Sequence, residues 1–115
     1  MIVLFGAIAG FFAVALGAFG AHALKDGFGE EQLGWWETAT LYLLVHAALA
    51  TALAAADSAR FGVAATLLLL GAVIFSGTLY TMALGGPRWL GAVTPIGGIG
   101  LLAGWAFVAA AAIRA

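Results

Sequence analysis

Trp36–Ala56 reads WETATLYLLVHAALATALAAA, Asp57–Arg60 reads DSAR, and Phe61–Leu84 reads FGVAATLLLLGAVIFSGTLYTMAL. Two long apolar runs meet at four polar or small residues. A helix needs roughly 20 apolar residues to cross the hydrocarbon of a bilayer, and each run supplies them. A connection as short as Asp57-Ser58-Ala59-Arg60 makes the two helices antiparallel neighbours. Working outward, Met1–Leu24 and Pro95–Ile113 are apolar runs of the same kind. The expected architecture is therefore all-α: a single domain, residues 1–115, forming a transmembrane four-helix bundle with short loops. The spans fall near 1–24, 36–56, 61–84 and 95–113. Ala21-His22-Ala23 has the form of a signal-peptide cleavage site, but no positive segment precedes the apolar run, so the first run is read as a span.

Composition agrees with this reading. Of 115 residues, 65% are hydrophobic and 8% charged, whereas a soluble domain carries about a quarter charged residues. Lys25, Asp26, Glu30, Glu31 and Glu37 cluster, while Asp57, Arg60, Arg88 and Arg114 stand alone. A net charge of -1 argues against nucleic-acid binding. The chain has no cysteine, which excludes disulfides, thiolate metal sites and thiol chemistry. Gly85-Gly86-Pro87 ends the third run, because proline cannot continue a helix and glycine accepts the left-handed turn that closes one. Thr94-Pro95 reads as cap and first residue of the fourth. The first connection, Lys25 to Trp35, has room for an amphipathic turn around Glu30–Leu33.

Polarity is gathered on one side. The first and third spans end, and the second and fourth begin, at the same face. His22, Glu37, Thr38, Thr40, Tyr42, Ser76, Thr78, Tyr80, Thr81 and Thr94 lie towards it, and Trp35, Trp36 and Trp89 form an interfacial aromatic belt there. Thr51 and Thr66 are the main polar residues of the opposite half. Either the hydroxyls bond helix to helix and back to their own backbone, or they line a polar vestibule open to one side. His46 lies about 15 Å from each surface by helical rise, with Tyr42 and Thr38 one and two turns away on its face. It is either a satisfied neutral core histidine or part of a site. Glu37 falls on the opposite side of the same helix, level with His22, Lys25 and Arg88. The candidate polar pocket is thus His22, Glu37, Tyr42, His46, Ser76, Tyr80, Arg88 and Thr94.

Small residues recur on single faces of the first span (Gly6, Gly10, Ala13, Gly17, Gly20) and the fourth (Gly97, Gly100, Gly104, Ala111). Helices in lipid associate through close backbone approach at such residues, which suits packing within the bundle or in a homo-oligomer. No cofactor or metal is expected. A haem needs two axial ligands at one level, and His22 and His46 sit at different depths. No three ligands converge for zinc or iron. No nucleophile–base pair is evident, and the deep half lacks the acidic groups of an ion pump.

Gly17–Lys25 (GAFGAHALK), Tyr42 with His46-Ala47, Phe75–Tyr80 (FSGTLY), Arg88–Gly98 (RWLGAVTPIGG) and Gly104-Trp105 together resemble the YgdD-like family of small four-span proteins of bacterial inner membranes. The likeness runs through nearly the whole chain. One departure is Leu43, where relatives commonly carry glutamine after the tyrosine, which narrows any hydrogen-bond network around His46. The resemblance implies a fold and a location, the inner membrane, and brings no activity. The chain is expected to be a non-enzymatic multi-pass protein acting by packing with itself, with a membrane partner or with lipid. The alternative is a small transporter or ligand-binding protein using the polar pocket. Lys25 and Arg88 balance Arg60 and Arg114 under the positive-inside rule; the acidic first loop favours both termini in the cytoplasm.

Overall fold

The computed structural model describes residues 1–24 and 26–114. Among them are three α-helices: α1 (Ile2–Phe19), α2 (Glu30–Ala83) and α3 (Thr94–Ile113). A π-helical turn, Gly20–Leu24, extends α1, and a 3-10 turn, Arg88–Ala92, leads into α3.

The second helix is not one rod. A straight helix of that length would run about 81 Å, yet the longest dimension of the molecule is 49 Å. At Asp57 the backbone leaves helical geometry, with φ −160° and ψ 89°. The arms 30–56 and 58–83 fold back on each other, so that Ser76 Oγ donates to the Ala39 carbonyl at 2.7 Å. Asp57 Oδ1 accepts the Arg60 backbone N–H at 3.0 Å, capping the second arm at its third residue, where an orphan donor needs an acceptor. The expected four-residue turn contracts to Asp57 alone, because the aspartate is at once the extended residue and the cap. The Arg60 guanidinium then reaches the Ala111 carbonyl from Nε (3.3 Å) and Nη2 (2.9 Å), tying the end of α3 to the bend.

Two more expectations change at the opposite end. Glu30–Leu33 is the first turn of α2 rather than a separate interfacial turn, and its two glutamates suit the positive end of the helix dipole. Thr94 does not cap α3. Val93 holds the cap position, with the Ile96 N–H on its carbonyl at 2.9 Å, and the 3-10 turn supplies the backbone acceptors that a capping hydroxyl would otherwise provide. Arm 58–83 ends as its glycines require. Gly85 takes φ +98°, its N–H bonds the Met82 carbonyl at 3.0 Å, and the Gly86 N–H bonds the Thr81 carbonyl at 2.8 Å, the paired bonds of a Schellman motif.

Alanine and glycine dominate the packing. Where α3 crosses arm 58–83, a Cβ added to Gly71 would lie 2.7 Å from the Leu101 nitrogen and 2.8 Å from the Gly97 carbonyl oxygen. At Gly104 it would meet the Leu68 side chain at 2.6 Å. The α1 glycines face arm 30–56: Gly6 abuts Thr51, Gly17 abuts Thr40 and Gly20 abuts the Trp36 indole. Gly10 opposes nothing within 4 Å. Ala39, Ala50, Ala65, Leu68 and Ala72 fill the centre, while Phe5, Ile8, Phe11, Phe12 and Phe19 of α1 point outward. Ile2–Leu24, Glu30–Ala83 and Arg88–Ile113 are each long and apolar enough to cross a membrane, and the exposed aromatic surface fits hydrocarbon rather than water.

Gly71→Ala is expected to destabilise the protein by about 1–3 kcal/mol, since the colliding atoms are backbone and cannot turn aside. Gly34→Ala, where nothing lies within 4 Å, should be neutral or stabilising by up to ~1 kcal/mol. Thermal unfolding of both variants in detergent checks the contrast.

Candidate functional site

The polar residues group around three centres, each built on a different helix crossing. The first is Trp36. It is 3% exposed and therefore belongs to the core, not to an interfacial belt. Its indole fills the space left by the missing Cβ of Gly20, donates from Nε1 to the Leu16 carbonyl at 2.7 Å, and meets Tyr80 edge-on with centroids 4.6 Å apart. Tyr80 in turn shares a 2.6 Å hydroxyl bond with Thr40. Ser76, fully buried one turn earlier, bonds Ala39 across the same interface. A belt tryptophan keeps its N–H at the headgroups; Trp36 is drawn inward because Gly20 opens a slot and the Leu16 carbonyl accepts its proton.

The second centre is His46, 7% exposed. Trp105 Nε1 donates to His46 Nε2 at 3.1 Å, and an indole N–H can only donate. Nε2 is therefore the bare nitrogen, and Nδ1 carries the proton to the Tyr42 carbonyl at 2.7 Å. Both ring nitrogens are engaged and the imidazole is neutral. Tyr42 stacks on His46 and lies tilted against Phe75, with centroids 5.9 and 4.5 Å away, and is itself 38% exposed. Sequence spacing singled out His46 and Tyr42 but not Trp105, which approaches from another helix.

The third centre joins arm 58–83 to α3. Thr78 and Thr94 share a 2.6 Å hydroxyl bond. The Phe75 and Leu90 carbonyls lie 2.9 and 3.1 Å from the two hydroxyls, and since each hydroxyl has one proton, one threonine donates to its carbonyl while the other donates to its partner. Outside these centres, Arg88 pairs with Glu31 at the surface and covers the Trp35 ring at 5.4 Å. Its carboxylate partner is thus Glu31, not Glu37. His22 lies exposed on the π-turn and Glu37 exposed on arm 30–56. Lys25, the other expected neighbour of Glu37, lies outside the described residues. Trp89 is 66% exposed.

These residues do not share one cavity. Ser76 and Tyr80 border an apolar groove of about 520 Å³ between α1 and arm 58–83. Glu37 borders a second, of about 310 Å³, beside Gly17 and Gly20. Tyr42 and His46 border a third, of about 390 Å³, against α3. Among the described residues no buried side-chain nitrogen or oxygen lacks a hydrogen-bond partner, and no three of His, Asp and Glu come together. Chemically, this arrangement holds helices together.

Fold and polar centres define an all-helical membrane protein whose buried polar groups are engaged internally. The chain belongs to the family described as "Protein of unknown function (DUF423)", which matches residues 16–98; the resemblance carried by the glycine, histidine and FSGTLY motifs holds. It is 43% identical to the UPF0382 inner membrane protein YgdD of Escherichia coli (strain K12), over 97% of this chain and 88% of that one. It is 37% identical to a UPF0382 membrane protein of Staphylococcus epidermidis, over 97% of this chain and 94% of the relative. With a UPF0382 membrane protein of Staphylococcus saprophyticus it shares 39% identity over 90% and 88%. No solved structure matches the chain.

Trp105→Phe keeps an aromatic side chain, smaller than the indole, and removes the N–H that donates to His46. The expected cost is about 1 kcal/mol, the usual size of an interhelical hydrogen bond in a membrane protein. His46→Leu should make the second change nearly silent, so a double-mutant cycle reads the pair directly. Nitrogen-15 NMR of labelled histidine should find the His46 proton on Nδ1 in the wild type.

Proposed function

We propose that the chain crosses the inner membrane four times, as a four-helix bundle of α1, arms 30–56 and 58–83, and α3, and that it acts without catalysis. It works by packing: against lipid, against a membrane partner, or against another copy of itself. The observation that carries this reading is that the buried polar side chains of the described residues bond within the protein while the groove between α1 and arm 58–83 is walled by hydrocarbon side chains. An enzyme or transporter needs polar atoms left over for a substrate, and the serine, threonine and histidine groups here hold helices instead. Location in the inner membrane follows the printed name of the YgdD relative together with the apolar helices.

Self-association has an observation of its own. Gly6, Ala7, Gly10, Ala48, Ala52 and Ala55 line a shallow groove of about 310 Å³ on the outer face of α1 and arm 30–56, and walls this small allow a second helix to approach closely.

Because the chain has no cysteine, single-cysteine variants report topology cleanly. Cysteine in place of Asp26 or Trp89 should react with a membrane-impermeant maleimide from the periplasmic side. Cysteine in place of Ala59 or Arg114 should react only after the cytoplasmic side is opened. Labelling of Asp26→Cys and Ala59→Cys from the same side would remove the second crossing and with it the four-span reading.

A further inference from the structure

The groove between α1 and arm 58–83 has a shape and chemistry that select its occupant. It runs from the level of Ile2 and Thr66 to that of Leu16 and Tyr80. Fourteen residue steps along α1 make that about 21 Å, more than the ~15 Å of hydrocarbon in one leaflet. Its walls are Phe5, Ile8 and Phe12 on one side and Leu69, Leu70 and Val73 on the other, with Leu43 of arm 30–56 also lining it. At one end Ile2 approaches Gly62; at the other Tyr80, packed edge-on against Trp36, lines it.

Three occupants compete. Water needs two to four polar partners, and the polar side chains along the groove are already engaged: Ser76 with Ala39, Tyr80 with Thr40, Thr66 with the carbonyl of Gly62. A helix of another copy needs a continuous strip of small residues so that backbones can close; here Ala9, Ser76 and Gly77 are set among the phenylalanine, isoleucine, leucine and valine side chains of those walls, which hold a second helix off. The small-residue groove of Gly6, Ala48 and Ala52 lies elsewhere. A flexible hydrocarbon chain needs neither polar partners nor close backbone approach, and it restores the dispersion contacts that bare walls forgo. The geometry points to a binding groove for one long, extended lipid acyl chain. This rests on the reading of the protein as a bilayer-embedded packing protein and names the lipid part that it grips.

Gly77 provides the test. It lines the groove, and nothing stands within 4 Å of the position that a Cβ would take, so Gly77→Leu fills the groove without a clash at the backbone. Val73→Phe fills it from the next turn, and Ala48→Leu fills the small-residue groove as a control. Purified, delipidated protein is titrated with palmitoyl-oleoyl phosphatidylglycerol or dioctanoyl phosphatidylglycerol, and bound lipid is counted by native mass spectrometry alongside thermal unfolding. The wild type and Ala48→Leu should retain one long-chain lipid in preference to the short-chain one. Whichever of Gly77→Leu and Val73→Phe keeps the wild-type unfolding temperature should lose it several-fold. Equal retention in the filled variants, equal retention of the two lipids, or a disulfide between copies through Leu70→Cys would each overturn the groove assignment. None of these outcomes alters the maleimide pattern, so the groove can fail while the four crossings stand, and the reverse.

Discussion

Gly71 and Gly97 bring two backbones so near that a methyl group on either would strike main-chain atoms of the other helix. In water, helices are pressed together by burying apolar surface. In hydrocarbon that drive is absent, and what remains is dispersion between atoms that touch, plus hydrogen bonds that have no competing solvent. Both grow steeply as helix axes approach. The glycine crossing sets the spacing at which Leu68 seats on Gly104 and Thr78 reaches Thr94. The alanines at the centre serve the same end, and so does the slot at Gly20 that admits Trp36.

The hydroxyl and imidazole bonds are a second layer on this frame. Each bonds across a crossing that small residues have already closed: Ser76 between the arms of α2, Thr78 between arm 58–83 and α3, His46 between arm 30–56 and α3. Their lengths, 2.6 to 3.1 Å, are those of ordinary hydrogen bonds, which the close approach of the helices permits. A neutral histidine fits this layer well, since it offers one donor and one acceptor and adds no charge to the hydrocarbon. The π-turn at Gly20–Leu24 widens the helix where Trp36 enters, at the end that holds most of the loops and most of the charges.

Much of this was legible in the residues. Hydropathy gives the helices, the DSAR stretch gives the reversal between the arms of α2, and Gly85-Gly86-Pro87 gives the helix end. The glycine runs on α1 and α3 stand out because they repeat at helical spacing. Gly71 does not, because it stands alone after four leucines, and only the partner helix reveals what it does. Trp36 was open to misreading because an amphipathic ring suits both an interface and a slot beside a free carbonyl. Trp105 as the donor to His46 depends on the relative rotation of helices 59 residues apart, which a periodicity on either helix does not carry. Polar residues that the sequence sets at one end need not share a cavity: Ser76 and Tyr80, Glu37, and Tyr42 with His46 border three separate grooves. The hydrocarbon groove is a shape left between helices, and no residue type marks it.

The reversal at Asp57 has a consequence for how the chain tolerates change in length. Its single extended residue fixes the rotational phase of arm 58–83 against arm 30–56. One residue inserted there would turn every later side chain by about 100° around the arm. Ser76, Tyr80 and Gly71 would leave their partners together, and Arg60 would swing away from Ala111. The bend therefore behaves as a tooth in a gear, with allowed lengths set by whole turns. The 26–29 segment and the 84–87 segment end in turns of their own and can take up slack. Variation in length is expected to collect at that end of the molecule, where the charged residues already are, and the hairpin tip is the place where the protein keeps count.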